Sequence, residues 1–451
     1  MTNATPDQIE SALTAMHRAF ALSRHWSSFY RYELCRKSHE LLTARAEPFA
    51  RLIAEEAKKP IRTARGEVAR ALTTFRLAME ESTRIAGEQI PADISASSLG
   101  YHAIVEHVPI GPCLFITPFN FPLNLVAHKV APALAVGCPF IVKPSERTPR
   151  TALALGELLR DAGVPADFFH ILSIPREETA LLEKLVADPR LALLSFTGSA
   201  DVGWHLKSIA GKKPVVLELG NNSAVIVEPD TDLADAIPRI VTAAFSYAGQ
   251  SCISVQRIFL HATIADQAIA LLVAATQKLK LGDPLDESTD VGPMIDEPAA
   301  LRIESWINAA IHNGATALIG ARREGAFYHP TLIRLPTQNS ELRIQNSPLL
   351  TNEAFAPVAL IETYSDFAAV LARVNDTPFG LHAGIFTRDL FKARLAFTTL
   401  DMGGIIINDV PTTRLDHLPY GGPKNSGLGR EGVRSAIAHL TQPKVLLTRY
   451  P

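Results

Sequence analysis

Cys252 lies in the stretch Tyr247-Ala248-Gly249-Gln250-Ser251-Cys252-Ile253-Ser254, downstream of the carboxylate in Glu218-Leu219-Gly220. A thiol flanked by small residues is accessible to a substrate, and as a thiolate it is a strong nucleophile. A nearby carboxylate activates water to release what the thiol has captured. In Thr117-Pro118-Phe119-Asn120-Phe121-Pro122 an amide side chain is fixed between two prolines. Such an amide can donate to a developing oxyanion without reorganising, although a proline turn whose Asn bonds its own backbone fits the same residues.

Two further stretches suit an anionic ligand. Phe196-Thr197-Gly198-Ser199-Ala200-Asp201-Val202-Gly203 reads as a strand, a tight turn and a helix start. There Gly198 permits close backbone approach, Ser199 can cap the helix or bond an oxygen, and the helix N-terminus favours phosphate. It is not a G-x-G-x-x-G fingerprint, and a plain strand-to-helix turn explains it equally well in isolation. Val142-Lys143-Pro144-Ser145-Glu146 places Lys143 and Glu146 at the end of another strand, where open α/β sheets bind ligands; a solvated loop is the alternative.

These residues need strands and helices to hold them. The first ninety residues read as helices, with Thr5-Pro6 as a helix start and Ile9, Leu13, Met16 and Phe20 spaced for one face. Apolar runs Cys113–Ile116, Phe140–Val142, Phe169–Leu172, Ala192–Phe196 and Val215–Leu217 then alternate with helical segments, as in a doubly wound parallel sheet of the α/β class. After Pro229 the alternation restarts with a helix to about Tyr247, a strand Val255–His261, a helix to Lys280 and units reaching Gly404–Asn408. A second α/β domain is expected, with the boundary between about 221 and 235.

The chain has 451 residues, with 44 Lys and Arg against 46 Asp and Glu, so its net charge of −2 gives no basic footprint for nucleic acid. No charged start leads into an apolar signal core, and the apolar stretch Val130–Val142 is broken by Pro132, Gly137 and Pro139. A soluble, cytoplasmic protein with a small-molecule partner and no membrane contact is expected. Cys35, Cys113, Cys138 and Cys252 form no C-x-x-C pair and the histidines no H-x-x-x-H spacing, so no metal site is expected. The first three cysteines read as buried small hydrophobes.

Taken together the chain resembles the aldehyde dehydrogenase superfamily, from about the first helix to the last ten residues. The resemblance rests on Pro118-Phe119-Asn120, Lys143-Pro144-Ser145-Glu146, Phe196-Thr197-Gly198-Ser199, Glu218-Leu219-Gly220, Gly249-Gln250-Ser251-Cys252, Glu353-Ala354-Phe355-Ala356-Pro357 and Pro419-Tyr420-Gly421-Gly422-Pro423-Lys424-Asn425-Ser426-Gly427, in the family's order. It implies a Rossmann-like NAD(P) domain at residues 1–89 and 109–225 and a catalytic domain at 226–435. A small β oligomerisation element, made of a hairpin at 90–108 and a C-terminal part at 436–451, would join subunits into a homodimer or homotetramer, with Lys444–Leu447 as the strand that meets a neighbour. By the same resemblance Cys252 is the nucleophile, Asn120 with the Cys252 backbone N–H the oxyanion hole, and Glu218 the base that hydrolyses a thioacyl enzyme. Cofactor contacts carried over are Thr117, Pro118, Lys143, Ser145, Glu146, Gly198, Ser199, Gly203, Leu219, Glu353 and Phe355. Glu146 points to NAD, because a carboxylate beside the ribose repels a 2′-phosphate, with NADP still possible.

Asn221 and Ala356 stand where the family has glycine, and Phe119 where many relatives have Trp. If the backbone at 221 needs a positive φ, Asn is the best tolerated substitute. The resemblance places the substrate tunnel at Phe121, Leu125, His128, Ser251, Ile253 and Tyr420. With Asn124 near its mouth and Arg414 and His417 on the loop Pro411–His417, a small polar or anionic aldehyde is expected. The pattern looks most like the lactaldehyde, phosphonoacetaldehyde and non-phosphorylating glyceraldehyde-3-phosphate dehydrogenases. Ser251 stands where phosphate-handling relatives often carry Arg, and a solvated Arg414 paired to Asp416 is an open alternative. Two other readings remain: a coenzyme A-acylating semialdehyde dehydrogenase, which often lacks the Glu218 base, and a non-enzymatic binding or structural relative, which needs neither Cys252 nor Glu218.

Overall fold

A computed structural model describes residues 3–335 and 347–450. Four helices open the chain, at Pro6–Ser23, Ser28–Ala44, Ala46–Ala57 and Ile61–Ser82. The first begins as its sequence dictates: the Thr5 hydroxyl accepts from the Gln8 N–H at 3.3 Å, the Gln8 side chain reaches back to the Thr5 N–H, and Pro6 occupies the first turn.

Two sheets follow. The first runs, edge to edge, Gly427–Leu428, Val215–Glu218, Leu193–Thr197, Cys113–Ile116, Phe140–Lys143 and Phe169–Ile171. Its pairs are parallel except for the short Gly427–Leu428 edge. From Cys113–Ile116 the chain winds outward to one edge, then returns to Leu193–Thr197 on the other side. That reversal leaves a crevice at the carboxyl ends of these two strands, where open α/β sheets take ligands. The strands are short apolar runs because both faces are covered by helices, among them the wholly buried Asn124–Val136.

The second sheet has the order Thr316–Ile319, Thr331–Arg334, Val358–Tyr364, Val255–His261, Ser223–Val227, His382–Phe386 and Gly404–Ile407, parallel except at its first pair. Only Leu219–Asn222 separate Val215–Glu218 of the first sheet from Ser223–Val227. The carboxyl edge of one sheet therefore faces the amino edge of the other. Each sheet has its own large apolar core, centred on Phe115 and Phe140 in one and on Ile258 and Leu360 in the other.

A third, antiparallel sheet joins Glu88–Pro91, Tyr101–Pro109 and Thr441–Arg449. The strand expected at Lys444–Leu447 is longer and pairs along its length with Tyr101–Pro109 of its own chain. Ile90, Ile94, Leu99, Ile104, Val445, Leu446 and Leu447 are exposed on this element. Among the described residues no helix is long and apolar enough to cross a membrane.

Candidate active site

Cys252 is carried by a turn, not by a strand. The helix Leu233–Phe245, capped by the Asp232 side chain on the Ala234 N–H, ends where Tyr247, Ala248 and Gly249 all take positive φ (53°, 51° and 67°). Three left-handed residues in succession reverse the chain sharply and bring Cys252 to the amino end of Val255–His261. Only glycine fits the third: a Cβ on Gly249 would lie 2.1 Å from the Ala356 carbonyl oxygen. The cysteine turn is thereby pressed against the loop bearing Glu353 and Phe355.

Asn120 follows the strand Cys113–Ile116. Its Nδ2 donates to the Gln250 carbonyl at 3.1 Å, so the amide is tied to the cysteine turn and not to its own backbone. One N–H remains for a ligand. Among the described residues the Cys252 backbone N–H makes no hydrogen bond. The Asn120 loop is gripped from behind by a fully buried ion pair, Lys59 with Glu67. Glu67 Oε1 accepts from the Leu123 and Asn124 N–H groups at 2.9 and 3.0 Å, and Lys59 Nζ lies 3.7 Å from the Phe121 ring centroid and 4.5 Å from that of Tyr247. Burial draws the Lys59 ammonium down to about 8 against the pull of Glu67.

Glu218 ends its strand, fully buried, with neither carboxylate oxygen hydrogen-bonded among the described residues. Burial holds its carboxyl well above the usual range, and the neighbouring Glu431 charge pushes the same way, opposed by Arg414 and Lys129. Gly421 makes room for it, since a Cβ there would sit 2.6 Å from Glu218 Oε1. Burial also pushes the Cys252 thiol up to about 12, while a 3.2 Å contact from Sγ to Tyr420 Oη lowers it.

A cavity of about 470 Å³ joins these groups. Cys252, Glu218, Asn120, Pro118, Gly198, Ser199, Leu219, Glu353, Phe355, Phe121, Leu125, Ser251, Ile253, Arg414 and Tyr420 all line it. Thr117, Lys143, Ser145, Glu146 and Gly203 do not; they stand at or beyond the carboxyl edge of the first sheet. His128 is a correction to the tunnel reading, because it is buried behind the wall, with Nε2 at 2.9 Å from Asp416 Oδ1 and 3.3 Å from Arg414 Nη2. His417 is exposed and outside the lining.

Arg414 is not a solvated surface group. Its side chain is 6 % exposed, reaches Glu431 Oε2 at 3.2 Å and lies 3.7 Å from the Tyr420 ring centroid. Asp416 is held chiefly by His128 and by Arg70, whose Nε and Nη2 grip it at 3.1 and 2.7 Å. Lys129 Nζ completes the buried cluster at 2.9 Å from Glu431 Oε1 and 2.8 Å from Ser195 Oγ. Arg70, Lys59, Glu67, Lys129 and Glu431 were not among the site residues expected from sequence. A signal was present: Glu67 interrupts the apolar stripe Ala64, Val68, Ala71 and Phe75 of its helix, and Lys129 stands inside a wholly buried one.

Neither Asn221 nor Ala356 has a positive φ, so the backbone at these positions does not call for glycine's left-handed freedom. Asn221 acts through its side chain, with Nδ2 donating to Ser223 Oγ at 2.6 Å and Oδ1 accepting from the Leu381 N–H at 3.3 Å. Its own N–H donates to Glu353 Oε1 at 3.1 Å. Burial raises the Glu353 carboxyl to about 7 against that hydrogen bond.

A dinucleotide fits the residues present. The Ala200–Ile209 helix starts at Ser199 without a side-chain cap bond, and Gly198 and Ser199 at its start line the cavity. Glycines at 198, 203 and 220 face Phe196, Leu219 and Glu353, where a Cβ would be 2.6, 2.5 and 2.6 Å from the nearest side-chain atom. The buried Thr117 hydroxyl has no partner among the described residues.

The model of the aldehyde dehydrogenase family matches residues 1–446. The 3-sulfolactaldehyde dehydrogenase of Priestia aryabhattai is 41% identical over 444 residues, covering 98% of this chain and 91% of that protein. The crystal structure of aldehyde dehydrogenase 21 from Physcomitrella patens, in complex with the reaction product succinate, is 44% identical with a TM-score of 0.95, over 99% of this chain and 91% of that one. That of glyceraldehyde-3-phosphate dehydrogenase GapN from Methanocaldococcus jannaschii, complexed with NADP, is 33% identical with a TM-score of 0.93, over 100% and 96%.

Proposed function

The chain belongs to the aldehyde dehydrogenase family of NAD(P)-dependent oxidoreductases, and on that premise we propose that it oxidises a small anionic aldehyde to the carboxylic acid through a thioester on Cys252. The carrying observation is that Arg70 and Arg414 line the same cavity as Cys252, Asn120 and Glu218. Each guanidinium has an Nη1 that makes no hydrogen bond among the described residues, so both keep donors for an anionic group at the far end of the substrate. They supply the charge that Ser251, beside the thiol, does not. A sulfonate or carboxylate at that end, as in the 3-sulfolactaldehyde and succinate of the relatives' names, suits this arrangement.

In this reading Cys252 Sγ attacks the carbonyl carbon and the π pair moves to oxygen, where the free Asn120 N–H and the Cys252 N–H receive it. Thr117, Lys143, Ser145, Glu146, Ser199 and Glu353, with Gly198 in the turn and Gly203 in the helix that follows it, would hold NAD(P), which would supply the hydride acceptor that conversion of the thiohemiacetal to a thioester requires. Glu218 then takes a proton from water, the hydroxide attacks the acyl carbon, and the acid leaves as Sγ is restored. The raised Glu218 affinity for protons suits it to that task near neutral pH.

The same reading assigns residues 1–89 and 109–225 to cofactor binding, 226–435 to catalysis, and 90–108 with 436–451 to contact between subunits of a cytoplasmic homo-oligomer. The experiment is reduction of NAD and of NADP by the purified protein with succinic semialdehyde, 3-sulfolactaldehyde, lactaldehyde, benzaldehyde and hexanal, with and without coenzyme A. Highest kcat/KM on the anionic aldehydes without coenzyme A supports the proposal; equal or better turnover of hexanal removes the role given to the arginines.

A further inference from the structure

We propose that Tyr420 is a catalytic residue in its own right, the hydrogen-bond donor that stabilises the Cys252 thiolate. The inference rests on Cys252 being the nucleophile, as read above. Tyr420 Oη is 3.2 Å from Sγ, and among the described residues Sγ is its sole hydrogen-bonding partner.

The phenol is built to hold that position. Its backbone is pinned to Glu431 by two hydrogen bonds, Tyr420 N–H to Glu431 O at 2.9 Å and Glu431 N–H to Tyr420 O at 2.7 Å. Its ring is buried against Leu381 and Ile253. The Arg414 guanidinium lies 3.7 Å from the ring centroid on one side, and the His382 ring packs edge-on at 5.0 Å and 71°. His382 is itself fixed by a 2.9 Å contact from Nδ1 to the Pro411 carbonyl. A side chain held at backbone, face and edge keeps one freedom, rotation of its hydroxyl hydrogen, and the acceptor within reach is sulfur.

The chemistry needs such a donor. Burial disfavours the thiolate, and the carboxylates facing Sγ, Glu353 and Glu218, disfavour it further. Against them stand Arg414, whose charge acts from behind the phenol ring, and the phenol itself. A cation over the ring face makes the O–H a stronger donor, so the two residues act in series: Arg414 polarises Tyr420 and Tyr420 bonds the sulfur. When the thiol ionises, its proton passes to a carboxylate of the cavity and Tyr420 keeps its own. When Sγ bonds to carbon the O–H···S⁻ bond weakens, and it is regained when the acid departs. Gly421 follows immediately, where the missing Cβ admits Glu218. One stretch of chain thus serves the nucleophile and makes room for the base.

The test is alkylation of Cys252 by iodoacetamide across pH, followed by peptide mass spectrometry, because this reads thiolate formation without turnover. Tyr420→Phe keeps the ring, the Arg414 stack and the packing. A charge-assisted hydrogen bond is worth about tenfold or more in thiolate population. The variant should therefore be alkylated about tenfold more slowly at neutral pH, its pH midpoint should rise, and the deficit should close once pH exceeds that midpoint. A profile matching the parent protein, or a deficit that is the same at every pH, overturns the proposal. Should Tyr420→Phe fail to bind NAD, 3-fluorotyrosine placed at 420 decides: its more acidic phenol must lower the midpoint, and an unmoved midpoint overturns the proposal. If Cys252→Ala kept full turnover, the covalent reading would fall instead, whatever the alkylation profile.

Discussion

Replacing Glu431 by glutamine tests the buried charge cluster behind the cavity. Glu431 accepts from Lys129 and Arg414 at 2.9 and 3.2 Å with almost no exposure, and despite burial those two cations hold its carboxyl at about 2 against an ordinary 4.5. A carboxylate displaced that far contributes about 3 kcal/mol to folding. Breaking a buried pair by removing one partner costs a comparable ~3–5 kcal/mol, because Lys129 and Arg414 would remain buried without their counter-charge. Glu431→Gln should thus lose about 3 kcal/mol at pH 7 in urea unfolding followed by tryptophan fluorescence. The contribution of a depressed carboxylate is present above its unfolded value and lost as the folded group protonates. The difference between parent and variant should therefore narrow below pH 4.5 and close near pH 2. A kinetic consequence follows from the same charges. Glu431 is, after burial, the main influence raising Glu218; without it only burial opposes the pull of Arg414 and Lys129 on Glu218. The acid limb of the hydrolytic step should move to lower pH. An unchanged unfolding midpoint at pH 7, or an acid limb that moves upward, refutes this account of the cluster.

Arg70→Met should raise KM for an anionic aldehyde about tenfold or more, the value of one charge-assisted contact, while kcat/KM for benzaldehyde changes little; steady-state kinetics on the two substrates check it. Lys59→Met leaves Glu67 buried without its cation and frees the Phe121 ring from above. It should cost about 3–5 kcal/mol in unfolding and lower kcat through a looser Asn120, with NAD affinity unchanged in a titration of cofactor binding.

The parts of the fold legible in sequence were those written locally. Val255–His261 is a strand with the limits read from sequence, and so is Cys113–Ile116, the latter because strands buried on both faces read as short continuous apolar runs. The thiol turn was legible from its small polar setting. Partnerships across the chain were not: Lys129 and Glu431 are 302 residues apart, and neither carries a mark that names the other. Arg70, on a helix, and Lys59, in the link between two helices, resemble ordinary solvated charges until packing turns them inward. His128 illustrates the reverse error, a residue near the Asn120 motif in sequence whose helix directs it behind the cavity wall. Asn221 shows why a glycine departure is ambiguous, since its backbone is ordinary and its side chain makes the local bonds instead.

The central claim, an acyl group carried on Cys252 and released by Glu218, is tested most directly by mixing Glu218→Gln with NAD and succinic semialdehyde, quenching in acid and weighing the Cys252 peptide. The account predicts a burst of reduced cofactor followed by a stall, with the acyl mass accumulated on that peptide. Steady turnover at the parent rate with no adduct on Cys252 would contradict it.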